Sequence, residues 1–231
     1  MQLSKRLKAI TEFVTPKCTV ADIGCDHAYI SIYLIENRIA EHVVAMDINK
    51  GPLQRAKENI DRYGYHQYIE TRLSDGAKEL KPAEVDTLLI AGMGGALTVK
   101  ILSDSLPTTA ACKELVLQPQ SEVYLVRQYL HQIGYQITKE NMLIDDGKNY
   151  VVIKANKGTE KYDHPALYYY GKLLLEAKNE VLKEFLQKEK NKLKKIIRTL
   201  KIEDSDRSNA RLVELEEELK YVEEGMKYYG L

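Results

Sequence analysis

Short apolar runs recur along the first two thirds of the chain, at Val20–Asp22, Val43–Asp47, Tyr68–Arg72, Thr87–Ala91 and Leu115–Leu117. Each is rich in β-branched or aliphatic side chains. Between them lie segments with helical spacing, Tyr29–Asn37, Pro52–Tyr63, Leu97–Ser103 and Glu122–Ile133. Nearly continuous apolar strands alternating with helices predict a parallel sheet covered on both faces. Tyr135–Ile144 and Tyr150–Ala155 flank Asp145-Asp146-Gly147, a turn signal, and read as a final antiparallel pair at the sheet's edge.

After NKGTEKYDHP the period changes. Leu182, Leu186, Glu189, Leu193, Ile196 and Leu200 step by 4-3-4-3-4, and Leu212, Leu215, Leu219, Val222, Met226 and Tyr229 by 3-4-3-4-3. Each set is a heptad seam, interrupted only by Glu189. The segment IEDSDRSN between them supplies turn and cap residues, so an antiparallel helical hairpin is expected. The chain divides into an α/β, Rossmann-like domain over residues 1–156 and a helical coiled-coil hairpin over 157–231.

Composition narrows the class. With 44% hydrophobic and 29% charged residues the chain is globular, and no apolar stretch approaches the roughly 18 residues of a membrane span. The opening MQLSKRLKAITEF is amphipathic and lacks the apolar centre and cleavage site of a signal peptide. Cys18, Cys25 and Cys112 show no CxxC spacing, which fits reduced thiols in a cytoplasm, with Cys25 a small filler beside a turn. The five histidines show no ligand spacing, so no metal is expected. Net charge is zero, yet Lys183–Lys201 holds eight positive residues against Glu184 and Glu189, and Glu203–Glu224 holds nine acids against Arg207, Arg211 and Lys220. A basic stripe is followed by an acidic one, and screening makes such local clusters matter more than the total. Most of these charges are expected to stabilise the hairpin, facing one another across it.

The chemistry lies at strand ends. In open α/β sheets ligands sit beyond the carboxyl ends of the strands. Asp22-Ile23-Gly24 ends the first strand, and Gly24 tolerates positive φ and close approach of a ligand. A pyrophosphate cradle requires G-x-G-x-x-G, but Asp26 stands in the place of the second glycine, where its carboxylate would repel phosphate. Asp47 ends the second strand 23 residues past Gly24, where an acid accepts ribose hydroxyls. Asp75 follows the third strand and is placed to accept from an adenine amine. The fourth strand runs into AGMGG, Ala91–Gly95, whose bare backbone suits a flat reacting group. Acids around a phosphate-free, cationic adenosine fit S-adenosylmethionine better than NAD.

These residues resemble a known family. DIGCDHAYISIYL, MDINKGPLQRAKENI, LSDGA and AGMGGAL are similar to its first four motifs, and LVLQPQ and DDGKNYVV also fit. The family is TrmK, bacterial tRNA (adenine-N1)-methyltransferases acting on the adenosine at position 22 of tRNA. The resemblance implies a class I methyltransferase sheet, with the hairpin as the family's second domain. It implies that Asp22, Gly24, Asp26 and His27 line the methionine side of the cofactor, and that Asp47 and Ile48 take the ribose and adenine face. Asp75 and Gly76 would take the adenine edge, and Ala91, Gly92 and Met93 would lie near the methyl group. Three positions depart from the pattern: Cys25 replaces serine or threonine, Asp47 an acid that is often glutamate, and Gln120 an asparagine.

Adenine N1 carries an in-plane lone pair and attacks a methyl group without first losing a proton. Asp26, His27, Gln118 and Gln120 are candidates to stabilise the cationic product, with His27 either a general base or a residue that holds the cofactor or loop. N1 is hidden in a paired base, so the enzyme must expose it, and that needs a grip on folded RNA. Lys190, Lys194, Lys195 and Arg198 are expected to hold the tRNA backbone. Tyr168, Tyr169 and Tyr170 either stack on bases or pack the junction between the domains. The sequence leaves two other readings open: a methyltransferase acting on a small molecule or protein, and a non-catalytic binding protein built on the same sheet.

Overall fold

The computed structural model describes residues 1–203 and 206–231. Two compact units divide between Glu160 and Lys161. The first contains β1 (Cys18–Ile23), β2 (Ala40–Asp47), β3 (Ile69–Leu73), β4 (Thr87–Met93), β5 (Glu114–Pro119), β6 (Tyr135–Asp145) and β7 (Lys148–Lys157). Their order in the sheet is β3-β2-β1-β4-β5-β7-β6. β1 to β5 run parallel, and β7 pairs antiparallel with both β5 and β6. The expected edge hairpin is therefore present, with β7 inserted between β5 and β6. It turns at Asp146 and Gly147, both with positive φ (47° and 70°), the backbone that an Asp-Gly hairpin turn favours.

Successive strands walk outward from β1 in one direction and from β4 in the other, so the order reverses between these two central strands. That is where an open sheet leaves a crevice beyond its carboxyl ends. Val20, Val43, Leu88, Leu89, Ile90, Leu115, Val116 and Leu117 are buried on these strands, as their unbroken apolar runs required. Covering helices are α1 (Lys5–Thr11), α2 (Tyr29–Glu36), α3 (Lys50–Tyr63), α4 (Gly95–Asp104), α5 (Leu106–Ala111) and α6 (Val123–Gln132). α5 is an addition to the expected set, and it starts anew where Pro107 sits in the first turn, a position that tolerates a missing N–H. Arg127 of α6 pairs with Glu140 of β6 at 2.8 Å, both buried. Residues after β7 stay with the sheet because Gly158 N–H donates to Gly134 O at 3.0 Å and Ile137 N–H to Glu160 Oε2 at 3.1 Å.

The second unit comprises α7 (Pro165–Tyr170), α8 (Lys172–Glu176), α9 (Glu180–Glu203) and α10 (Asp206–Lys227). Ion pairs Lys190–Glu223 (3.6 Å), Lys194–Glu223 (3.5 Å) and Lys201–Glu216 (2.8 Å) run α9 against α10 in opposite directions. Asp204 and Ser205, within the expected turn IEDSDRSN, lie outside the described residues. The seam contains Leu182, Leu186 and Leu193 as expected, but its next buried position is Ile197 and not Ile196, which is 37% exposed. Either isoleucine satisfies a seam spacing from Leu193, and the drift of a 3.6-residue turn against a strict heptad selects the later one. On α10, Leu215, Val222 and Met226 are buried. The tyrosine run packs inside this unit: Tyr168 against Tyr162 (ring centroids 4.8 Å), Tyr169 against Tyr221 (5.0 Å), and Tyr170 over Gly225, where an added Cβ would lie 3.2 Å from the ring. No helix among the described residues is long and apolar enough to cross a membrane.

Candidate active site

The loop after β1 is held by its neighbour. Gly24 and Cys25 N–H both donate to Met46 O, at 2.8 and 2.9 Å, so it is tied to the end of β2. Gly24, Asp26 and Ala28 all take positive φ (75°, 45° and 56°). A Cβ on Gly24 would also meet Met93 Cε, the end of a flexible side chain that can move aside, so it is the left-handed backbone that calls for glycine. Two non-glycine residues in left-handed backbone within three positions are an outlier that points to function.

Asp22 is buried and accepts from Ser31 Oγ at 2.7 Å. Burial pushes its carboxyl up to about 6, with Ser31 opposing the rise and Asp47 adding to it. Asp26 is exposed, accepts from Arg55 Nη2 at 3.3 Å, and lies 3.7 Å from His27 Nε2. The His27 ring stacks on Tyr29, with centroids 5.1 Å apart and planes within 10°, and Asn59 Nδ2 donates to His27 O at 3.0 Å. Cys25 is buried, and burial followed by the charges of Asp22 and Asp47 pushes its thiol far up, which removes it as a nucleophile.

The crevice has two lobes. The larger, about 650 Å³, takes Asp22, Gly24, Asp26 and His27 together with Arg6, Gln120, Asp145 and Tyr150. The smaller, about 340 Å³, takes Gly24, Asp47, Ile48, Asp75, Gly76 and Met93. Ala91 and Gly92 line both. In the smaller lobe Asp47 Oδ1 accepts from Asn49 N–H at 2.8 Å, Ile48 exposes 59% of its surface as an apolar shelf, and Asp75 pairs with Lys78. Every residue expected at a cofactor therefore lines one lobe or both.

Gln118 does not line the crevice. Its side chain is buried at the end of β5, and its Oε1 accepts from Arg6 Nη1 at 3.5 Å. The glycine cluster is also narrower in use than expected. Gly92, at φ 80°, faces the crevice, but a Cβ on Gly95 would lie 2.4 Å from Glu122 O, so that glycine serves the close packing of α4 on the β5–α6 loop. The strand-end motifs do not reach Arg6, Asp145 and Tyr150. They come from α1 and the edge hairpin, distant in sequence from the strand-end motifs, and only the DDGKNYVV segment hinted at two of them.

Lys190 and Lys194 share Glu223, whereas Lys195 and Arg198 are exposed and have no ion-pair partner among the described residues. The crevice itself suits a phosphate-free adenosine bearing positive charge, because carboxylates from three strand ends face it.

Residues 3–153 match the family described as "Methyltransferase domain". Over 230 residues the chain is 32% identical to the tRNA (adenine(22)-N(1))-methyltransferase of Bacillus subtilis, covering 97% of each. The chain belongs to the tRNA (adenine(22)-N(1))-methyltransferase family. The crystal structure of TrmK, the Bacillus subtilis m1A22 tRNA methyltransferase, superposes with a TM-score of 0.91 at 31% identity, covering 97% of this chain and 99% of that one. A Streptococcus pneumoniae relative, titled a putative tRNA (m1A22) methyltransferase in complex with S-adenosyl-L-methionine, gives a TM-score of 0.87 at 28% identity, covering 97% of this chain and all of that one. Both matches include the residues of the helical unit.

Proposed function

We propose that this protein is an S-adenosylmethionine-dependent methyltransferase that methylates N1 of the adenosine at position 22, in the D-arm region of tRNA. The match over 97% of both chains carries the reading, because a Rossmann-like sheet alone serves many methyl acceptors. It also disfavours the two rival readings, another acceptor or a non-catalytic binder, since the match runs through both the sheet unit and the helical unit.

In this reading Asp47 accepts from the ribose hydroxyls, Ile48 covers the adenine face and Asp75 accepts at the adenine edge, with Gly76 giving close approach. Asp22, Gly24, Asp26 and His27 hold the methionine portion, and Ala91, Gly92 and Met93 surround the methyl group. The cofactor supplies a methyl on a sulfonium, already a good leaving group. The protein's task is then to align acceptor and donor in line and exclude water. Because N1 attacks with its lone pair, no base is required before methyl transfer. His27, stacked on Tyr29, keeps the loop in shape, and Asp26 with Asp145 and Asp146 offsets the positive charge the adenine ring acquires. The helical unit grips the RNA backbone through its basic face, and the protein works in the cytoplasm, where tRNA is found.

The test is methyl transfer to unmodified tRNA transcripts, with nuclease digestion and mass spectrometry. One-methyladenosine at position 22, absent from a transcript carrying another base there, is the expected result. Methylation elsewhere, or cofactor binding without transfer to any tRNA, would overturn the reading.

A further inference from the structure

Arg6 and Tyr150 line the larger lobe on a side that the cofactor residues do not need, and Gln118 lies buried behind Arg6. Gln118 Nε2 is buried and has no hydrogen-bond acceptor among the described residues. Its Oε1 has one long contact, 3.5 Å to Arg6 Nη1. Gln118 is the register partner of Ala91, which lines both lobes, so the amide lies just behind the point where they meet. The Arg6 guanidinium in turn lies 5.6 Å from the Tyr150 ring centroid, and Arg6 N–H donates to Asp145 Oδ2 at 3.1 Å, which ties the start of α1 to the edge hairpin. A planar cation thus lies over a tyrosine ring while covering a buried amide whose donor is unused. Buried donors are nearly always paired, so an orphan just behind a candidate site is a place where an arriving acceptor would be held.

We propose that Gln118 reads the Hoogsteen edge of the target adenine and that Tyr150 stacks on its face, with Arg6 occupying both positions until RNA arrives. This rests on the adenosine-methylating activity proposed above and names the residues that choose the base. An amide offers one acceptor and one donor side by side, the pattern that matches adenine N6–H and N7. Gripping that edge leaves N1, on the Watson–Crick edge, open to the methyl group. Guanine presents O6 beside N7, two acceptors, and would set O6 against Gln118 Oε1. Arg6, long and flexible, is the positioning residue: it swings away to uncover the amide and the ring.

The experiment compares tRNA carrying adenosine at position 22 with tRNA carrying 7-deazaadenosine there, using the unaltered protein. Replacing N7 by C–H makes N1 more basic, so the chemistry alone gives no slowing. The expected result is a fall in kcat/KM of about tenfold or more, with cofactor affinity unchanged. In Gln118→Met the difference between the two RNAs disappears. Tyr150→Phe keeps the KM for tRNA and Tyr150→Leu raises it. Equal kcat/KM for the two RNAs with the unaltered protein would overturn the inference even while methylation proceeds. Failure to methylate the ordinary transcript would instead bring down the activity reading and this inference with it.

Discussion

The two units of this protein carry their chemistry in different ways. In the sheet unit it is set by backbone: strand ends bring Asp22, Asp47, Asp75 and Gly92 to one crevice, and left-handed residues aim the loop between β1 and α2. Among the described residues, seven of the eight non-glycine positive-φ positions lie in that unit. In the helical unit the backbone of α9 and α10 is regular, and what matters is which side chains share a face. The first kind of site tolerates little backbone change, whereas the second is spread over residues that compensate for one another. The comparison breaks if single substitutions at the crevice prove mild or if those on the hairpin prove severe.

Gly24 is the sharpest test. Gly24→Val places a branched side chain at φ 75°, a backbone that a β-branched residue does not tolerate, so the loop must rearrange even though the Met93 side chain can move aside. Cofactor affinity measured by calorimetry is expected to fall by about a hundredfold while the circular-dichroism spectrum stays that of the folded protein. Retained affinity would show that the loop adapts and that backbone does not set the site.

Asp22 gives the next largest effect, read in stability. Its folded carboxyl titrates at about 6 against an ordinary value of 3.8. Below pH 4 both folded and unfolded forms are protonated and the group costs nothing. Between pH 4 and 6 the unfolded chain ionises first, so stability falls as pH rises, and above pH 6 the full penalty of about 3 kcal/mol remains. Asp22→Asn, which still accepts from Ser31, should therefore be more stable than the native protein at pH 7.5, by up to that amount in urea denaturation. The advantage should vanish near pH 4. A constant difference across this range would mean that Asp22 is not a charge held in a dry place for its ligand.

Much of this was legible in the chain. Unbroken apolar runs ending in Asp22, Asp47 and Ala91 announce a parallel sheet, and ligands gather at such ends whatever the ligand is. The Asp-Gly dipeptide at 146–147 announced its hairpin. Legibility failed where partners come from far away: Arg6 and Gln118 are 112 residues apart, and no local spacing links them. It failed too where two readings satisfy one pattern, as at Ile196 and Ile197, and where a glycine serves packing, as at Gly95. Periodicity reports which face is apolar, not which neighbour will cover it.

His27 comes third. A side chain that only holds the loop and cofactor through stacking on Tyr29 should, when removed, weaken binding and turnover alike. His27→Ala is expected to lower cofactor affinity and kcat/KM by about tenfold each, with the shape of the pH–rate profile unchanged. A selective loss of kcat with a displaced acid limb would identify His27 as a general base and shift the site toward side-chain chemistry.

The smallest effects belong to the hairpin, where the comparison is tested within one helix. Lys190 and Lys194, four residues apart, share a face of α9 and are held by Glu223. Lys195 and Arg198, three apart, share the adjacent face, are exposed, and have no ion-pair partner among the described residues. A phosphate approaching the first pair must compete with Glu223, whereas the second pair has no ion pair among the described residues to give up. Replacing Lys195 and Arg198 by alanine should weaken tRNA binding several-fold and lower the slope of log Kd against log salt by roughly 2. Replacing Lys190 and Lys194 should change the slope less, because each loss of positive charge is partly balanced by a pair already made within the protein. Equal changes in slope would show that the RNA strips Glu223 from its partners and that all four cations act together. No change in either would remove α9 from the RNA interface and leave its charges to the hairpin alone.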